Sequence, residues 1–518
     1  MAIRKWLILS HRYLGIVLGL LFVVWFASGI GMIYARGMPS LTEGLRLDRL
    51  EPLDLTSVRV TPWEAAERAG LGDAIESVTL LMVMDRPAYQ LVGEGEATVF
   101  SDTGELLDEV DPLGALQVAS RFVDVAPERV HYERRLTRAD QWTIAQSRQL
   151  PVHKLSIDDN HHTQIYVSSE SGEVTLLTTR ASRALAWVTA IPHWLYFTPL
   201  RLRETLWRQT ILWTAGFGCV LAILGITLGL LQFRFSRPFR LLRIRSHIPY
   251  TGWMQWHYIT GAVFGIFALT WVFSGLLSME PLGWASRGGL RTGELRQALI
   301  GGRLEPSAFS AIDPGAWDAL LPGRSLKEIT YRRILGKPYF MVRSTAAWSM
   351  ETTAADPAHG GSIAGPTDIG RVLITAETLA VQKESFALDS LMSRVREAYP
   401  ETEIVEVRLL EEYDSYHYSR DLDAPLPILR VKFDDPDRTW IYIDPASGEL
   451  ATTVHRLDRV ERWIYNGFHS LDFGFWYYNR PIWDIGIVVL SLGGMAMSAI
   501  GLSLGIRRLT RVKRQVQR

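Results

Sequence analysis

His11-R-Y-L-G-I-V-L-Gly19 and His257-Y-I-T-G-A-V-F-Gly265 are the same stretch written twice, and everything else in the chain is ordered around that repetition. The offset, 257 minus 11, is 246, and it also carries Trp25, Ser28 and Gly29 onto Trp271, Ser274 and Gly275. A second pair follows. P-H-W-L-Y-F around His193 answers to F-H-S-L-D-F around His469 at an offset of 276, which also maps Trp187 onto Trp463 and Trp207 onto Trp483. Four histidines therefore occupy equivalent places in two halves, each in or beside an apolar, glycine-marked segment.

The surrounding composition, 47% apolar with 18 tryptophans, points to a membrane protein with sizeable polar domains. Leu14 to Tyr34, Ile211 to Phe233, Ile259 to Met279 and Ile485 to Ile506 each approach the ~20 apolar residues that a spanning helix needs. Arg4 and Lys5 before the first run resemble a signal peptide, but the run exceeds the usual core of ~7 to 15 residues, so it is read as a retained helix.

The formal net charge of zero hides a segregation. Arg4, Lys5 and Arg12 precede the first span; Arg234, Arg237, Arg240, Arg243 and Arg245 follow the second; Arg507, Arg508, Arg511, Lys513 and Arg514 follow the fourth. By the positive-inside rule both termini and the central loop are cytoplasmic and the two long inter-helix regions lie outside. The single cysteine, Cys219, falls within a span, so the outer regions have no disulfides.

This gives a cytoplasmic N-terminus and first span at 1–35, an outer region at 36–183, an interfacial segment and second span at 184–233, and a cytoplasmic loop at 234–252. The third span at 253–279, a second outer region at 280–458, an interfacial segment and fourth span at 459–506, and a cytoplasmic tail at 507–518 complete the chain. The outer regions carry strand-and-turn patterning. T-Q-I-Y-V-S-S-E-S-G-E-V from Thr163, T-W-I-Y-I-D-P-A-S-G-E-L from Thr439 and A-T-V-F-S-D-T-G-E-L from Ala97 alternate as half-buried strands and then turn. Each outer region is expected to hold two small related α+β units, with short helices such as Thr61 to Ala69 on antiparallel sheets. The stretch from Ala354 to Thr367, rich in Ala, Gly and Pro, reads as an inserted loop.

His11 and His257 open the odd-numbered spans near the cytoplasmic face, whereas His193 and His469 precede the even-numbered spans near the outer face. Most of a ~30 Å hydrocarbon core separates the two histidines of one half, so ligand partners must come from opposite halves. Parallel repeats about an axis along the membrane normal pair His11 with His257 and His193 with His469. Imidazole suits iron, and no Cys or carboxylate cluster accompanies these histidines. Gly15 and Gly19, Gly261 and Gly265, Gly225 and Gly229, and Gly501 and Gly505 lie on helix faces that suggest clearance for a flat macrocycle. No C-x-x-C-H occurs, so two b-type haems held by His11, His257, His193 and His469 are the reading. Close helix packing also explains G-x-x-x-G, and histidines at interfaces also simply hydrogen-bond. His131, His153, His161, His162, His247, His359, His417 and His455 lack repeat partners and are read as surface residues; Trp194, Tyr196, Phe197, Trp476, Tyr477 and Tyr478 are read as interfacial anchors.

On these residues the chain resembles the PepSY-associated transmembrane proteins, and among them the di-haem ferric-siderophore reductases of the bacterial inner membrane. The features that carry the likeness are the elements at His11, His257 and His469 and the strand-turn units ending in S-G-E; P-H-W-L-Y-F at His193 lacks the final glycine of the family's usual form. The resemblance implies four membrane helices, PepSY-like periplasmic domains, b-type haems at those histidines, a ferric siderophore as electron acceptor, and a quinol or a separate cytoplasmic reductase as donor. No nucleotide- or flavin-binding motif precedes a helix, and no nucleic acid partner is expected. A PepSY-type protein-binding or peptidase-modulating role without redox activity, and a haem- or metal-handling role, stand as alternatives.

Overall fold

The computed structural model describes residues 2–35, 37–72, 75–234, 239–241, 244–281, 290–309, 312–346, 369–419 and 424–516. The loop expected at Ala354 to Thr367, and His359 with it, lie outside them. The chain forms two compact units, one from 1–38, 184–287 and 457–518 and the other from 39–183 and 288–456.

The first unit contains four helices long and apolar enough to cross a membrane, at Ala2–Ala35, Glu204–Gln232, Gly252–Leu277 and Ile482–Val516. They are the first to fourth spans. All are longer than the apolar runs that mark them, because backbone hydrogen bonding continues into polar sequence where the composition changes. At 1.5 Å per residue the 34 residues of the first span reach ~51 Å, well beyond a ~30 Å hydrocarbon layer. Leu18, Phe22 and Phe26 of the first span meet Ala215, Cys219 and Leu221 of the second and Ala268 and Val272 of the third in one buried cluster. Cys219 is thus a small apolar filler. Opposite faces leave Val17, Trp213 and Val263 more than half exposed, as lipid-facing side chains must be. Arg4 donates to Gln232 at the far ends of the first and second spans, and Arg208 caps the third span by donating to the Met279 and Glu280 carbonyls.

Strands β1–β3 (Ser77–Val83, Arg86–Val92, Glu96–Phe100) and β4–β7 (Val130–Leu136, Val152–Ile157, Gln164–Ser168, Val174–Thr178) come from the first half. β8 and β9 (Phe239–Leu241, Ile244–Ser246) pair as a hairpin after the second span. β10–β13 (Arg324–Ile334, Lys337–Ala346, Ile369–Thr375, Ala380–Val381) and β14–β17 (Ile404–Leu410, Ile428–Phe433, Trp440–Asp444, Glu449–Val454) come from the second half.

The second unit is built on one sheet shared between the halves, in the order β13-β12-β11-β10-β1-β2-β3. β1 and β10 pair antiparallel at its centre, with Thr79 opposite Thr330 and their hydroxyls 3.4 Å apart. The expected small unit of each half is therefore not separate: two of the four fuse edge to edge, which pairs strand edges that would otherwise be open. Val78, Leu80, Tyr89, Ile329, Tyr331 and Phe340 form its buried face. The expected short helix is present at Pro62–Arg68, started by a capping box in which Thr61 accepts from the Glu64 N–H and Glu64 accepts from the Thr61 N–H.

Four-stranded sheets β4–β7 and β14–β17 follow, the first covered by helix Pro112–Val123 and the second by helices Leu388–Ala398 and Thr292–Ile300. Ala115, Ala119 and Phe122 pack on Leu155, Ile165 and Val167; Leu391, Met392 and Val395 pack on Leu429, Val431, Ile441 and Ile443. Ion pairs tie the halves together: Arg46 reaches Glu43, Glu173 at 3.2 Å and the buried Glu328, while Arg343 reaches Glu43 and Glu328.

Three histidines that fall outside the repeat correct the surface reading. His153, His417 and His455 are buried. His153 bridges the Val110 carbonyl and the Tyr132 hydroxyl, His417 donates to the Pro425 carbonyl and stacks on Tyr442, and His455 meets Thr439. A buried imidazole with its nitrogens satisfied packs as an aromatic ring, a role that leaves no repeat signature in sequence.

Candidate functional site

The first unit brings together the histidines that the offsets match. The imidazoles of His11 and His257 have ring centroids 6.2 Å apart, and those of His193 and His469 are 6.1 Å apart. Ser28, which touches His193, lies 17 residues (28 minus 11) beyond His11 on the same helix, so the two pairs are separated by ~25 Å along the span. Neither pair joins two histidines of one half.

Each imidazole is fixed by a helix of its own half. His11 Nδ1 is 3.2 Å from the Leu221 carbonyl on the second span, and His257 Nδ1 is 3.2 Å from the Met497 carbonyl on the fourth. Leu221 and Met497 are themselves related by 276 (497 minus 221). In the outer pair, His193 Nδ1 lies 3.1 Å from Ser28 Oγ, and His469 Nδ1 lies 2.9 Å from Ser274 Oγ and 3.1 Å from the Trp271 carbonyl. A carbonyl only accepts. The serine hydroxyls already donate to the Val24, Trp25 and Trp271 carbonyls, so the proton sits on Nδ1 of all four rings. That leaves four Nε2 lone pairs unspent, the arrangement by which a second shell sets the tautomer of a metal-binding histidine.

Glycine makes the approach possible. A Cβ on Gly225 would stand 2.9 Å from His11 Cε1, and one on Gly501 would stand 2.7 Å from His257 Cε1. These two are seats for imidazoles, where clearance for a macrocycle was the sequence expectation. A Cβ on Gly19 would stand 3.2 Å from Leu502 of the fourth span, a close approach that serves helix packing, whereas one on Gly265 would make only ordinary contact with Ile226 of the second span.

Burial, and after it the neighbouring His469, pushes the His193 imidazole down to about 4, opposed by the Trp25 carbonyl. Burial also pushes His469 down, opposed by its bond to the Trp271 carbonyl. The outer rings are therefore neutral, the form that ligates. Among the described residues, the buried indole N–H groups of Trp25 and Trp271, one turn inward of Ser28 and Ser274, have no acceptor.

An imidazole nitrogen binds a metal at about 2 Å, which places the centres of two rings facing each other across one ion about 6.4 Å apart. Both observed pairs match that separation within a few tenths of an ångström. Among the described residues no group of three or more His, Cys, Asp and Glu gathers, so each pair could offer a metal two imidazole donors and no carboxylate or thiolate beside them. Such a donor set fits a metal that arrives with its own equatorial ligands.

Of the expected anchors, Phe197 and Tyr478 are exposed and others are packed. Tyr196 lies between Trp194 and Trp207, Tyr477 meets Trp483, and Trp476 fills the space over Gly486. What sequence reasoning missed is the second layer: the Leu221 and Met497 carbonyls carry no side-chain signal, whereas the recurrence of Ser28 as Ser274 was visible without an assigned task.

Comparison with curated proteins finds no significant match. The family model described as the PepSY-associated TM region matches residues 8–508, nearly the entire chain. This multi-pass membrane protein, with its four apolar helices and β-rich polar unit, belongs to the PepSY-associated transmembrane family.

Proposed function

We propose that the protein is an inner-membrane b-type di-haem oxidoreductase that passes electrons across the bilayer to a periplasmic ferric siderophore and so releases ferrous iron. The observation that supports this reading is the two imidazole couples, with ring centres 6.2 and 6.1 Å apart and every ring tied through Nδ1, which leaves Nε2 as the donor to a metal. His11 and His257 would hold the inner haem and His193 and His469 the outer one. When bound, haem iron supplies one-electron chemistry between its ferric and ferrous states.

The chain's own residues do the rest. Leu221, Met497, Ser28, Ser274 and Trp271 keep the four rings in the ligating tautomer, and Gly225 and Gly501 let the inner rings approach their supporting helices. Phe22, Phe26, Ala268 and Val272 close the space between the two levels to water. Held by one imidazole from each half, a haem would supply electron transfer rather than oxygen chemistry. Each ferric chelate reduced takes one electron, so a quinol, which gives two electrons and two protons as it becomes quinone, would serve two chelates, whereas a cytoplasmic reductase would supply one electron for each. Basic residues at the loop and termini support a cytoplasmic side for His11 and His257 and a periplasmic side for the outer pair.

The test is the absorption spectrum of purified protein, oxidised and then reduced with dithionite. Sharp bis-imidazole bands equivalent to two haems per chain, reoxidised on adding a ferric siderophore, are expected. A colourless protein from haem-sufficient cells refutes the di-haem reading and favours a protein-binding role; bands indifferent to every ferric chelate refute the reductase and favour haem handling.

A further inference from the structure

The two imidazole pairs differ in one respect that the sequence repeat does not foretell. The inner rings are inclined by 36°, whereas the outer rings stand at 72°, close to perpendicular. The inner ligands have matching surroundings, with carbonyls at equal distances and glycine seats at equivalent positions. The outer ligands do not.

Tyr465 stacks on His469, with ring centroids 5.1 Å apart and planes within 18°. The position equivalent to Tyr465 in the first half, at the offset of 276, is Thr189, which offers no ring to stack. The backbone differs with it. Thr189 interrupts the chain between helices Arg180–Val188 and Ala190–Trp194, while Tyr465 rides in a π-helical turn at Arg462–Gly467 that runs straight into the His469 segment. Widened π turns are characteristic of functional sites.

Packing around these positions is adjusted to match. A Cβ on Gly31 would overlap Thr189, and the equivalent of Gly31 in the third span is Leu277. Arg462, in the same turn, is buried and reaches the buried Asp472 at 3.5 Å, where the first half has Ala186 and Tyr196. The second half thus has its own device for holding its outer imidazole.

We infer that Tyr465 is a positioning residue which locks the plane of His469 nearly perpendicular to that of His193, making the outer haem electronically distinct from the inner one. The inference rests on the di-haem reading above. For two rings standing upright on one macrocycle, the angle between their planes is the angle between their projections on it. The anisotropy of the low-spin ferric signal grows as those projections turn from parallel towards perpendicular, because the iron orbitals that π-bond to the ligands become nearly equal in energy. The stack fixes that angle by holding one ring from the side.

Electron paramagnetic resonance of the oxidised full-length protein in detergent reads this directly, alongside haem counting by pyridine haemochrome. Two low-spin signals are expected: a rhombic one that His11→Ala removes, and a strongly anisotropic one that His193→Ala removes. Tyr465→Leu should convert the anisotropic signal into a rhombic one, or lose the outer haem alone, and Tyr465→Phe, which keeps the ring, should restore the wild-type spectrum. Two bound haems with two rhombic signals would overturn the inference, as would an anisotropic signal unchanged in Tyr465→Leu. A wild-type protein with no haem overturns the proposed function instead, so the two failures are distinguishable.

Discussion

Adding one methyl group at Gly501 tests the inner site more sharply than removing a ligand. The Cβ of Gly501→Ala would stand 2.7 Å from Cε1, 3.3 Å from Nδ1 and 3.5 Å from Nε2 of His257. Relief to ordinary contact needs the ring to retreat by about 0.8 Å, and its Nδ1 bond to the Met497 carbonyl restrains it. Overpacking of this kind costs about 1–3 kcal/mol. If that cost falls on the ligating geometry, binding of the inner haem weakens about 5- to 140-fold. Helix preference has the opposite sign, because alanine is favoured over glycine by about 0.8–1 kcal/mol, so a loss does not come from a weaker helix. The measurement is haem titration of full-length protein in a His469→Ala background, where only the inner haem remains. Gly229→Ala, with no atom within 4 Å of its added carbon, is the control and should bind as the parent does. Wild-type affinity in Gly501→Ala would refute the imidazole seat; equal loss of the outer haem, measured in a His11→Ala background that keeps the His257 ring, would refute its confinement to the inner site.

The pairing predicts that His193→Ala and His469→Ala each remove one and the same haem while His11→Ala and His257→Ala remove the other, read as haem per chain; a common haem lost by His11→Ala and His193→Ala would contradict it. Arg46→Met should destabilise the polar unit in chemical denaturation, by less than the ~3–5 kcal/mol of a fully uncompensated buried charge, because Glu328 stays buried with a weaker ion-pair partner in Arg343. Asp414, although burial pushes its carboxyl up, is held below its ordinary value by the backbone N–H groups of His417 and Tyr416, the Tyr442 hydroxyl and Arg430. A depressed carboxylate contributes stability above its unfolded value near 3.9 and loses it as pH falls through the folded value, so the polar unit should melt earlier below about pH 4. Asp414→Asn should flatten that acid dependence in a series of thermal melts, and an unchanged slope would count against it.

Much of the membrane unit was legible because its signals are local. A run of apolar residues, a histidine and a glycine four positions on need no long-range knowledge, and matched offsets supplied the pairing of His11 with His257 and of His193 with His469. The anchors were not legible, since a carbonyl such as that of Leu221 is the same group in every residue. The continuous sheet was hidden for a related reason: the β1–β10 pairing joins positions about 250 apart, and alternation fixes which face of a strand is buried without naming its neighbour. His153, His417 and His455 read as surface residues because a single histidine on a strand or turn looks the same whether it points out or fills a core. Tyr465 was passed over because it breaks the repeat, and a search for matched pairs discards the unmatched positions where two copies have diverged.

Anchoring within halves and ligation between halves imply a division of labour. The bonds to Leu221, Ser28, Met497, Ser274 and Trp271 each lie within one half, so no ring depends on the other half for its tautomer. Ligation then costs little further ordering, which is how preorganised sites gain affinity. The same separation explains why sequence symmetry survives at the anchors but lapses at Tyr465. An anchor must hold its own ring wherever it is copied, whereas the angle between the rings is a property of the pair and is set by changing one side alone. Divergence confined to one half of the outer site is therefore what a duplicated scaffold would use to make two unlike redox centres from one ligand pattern.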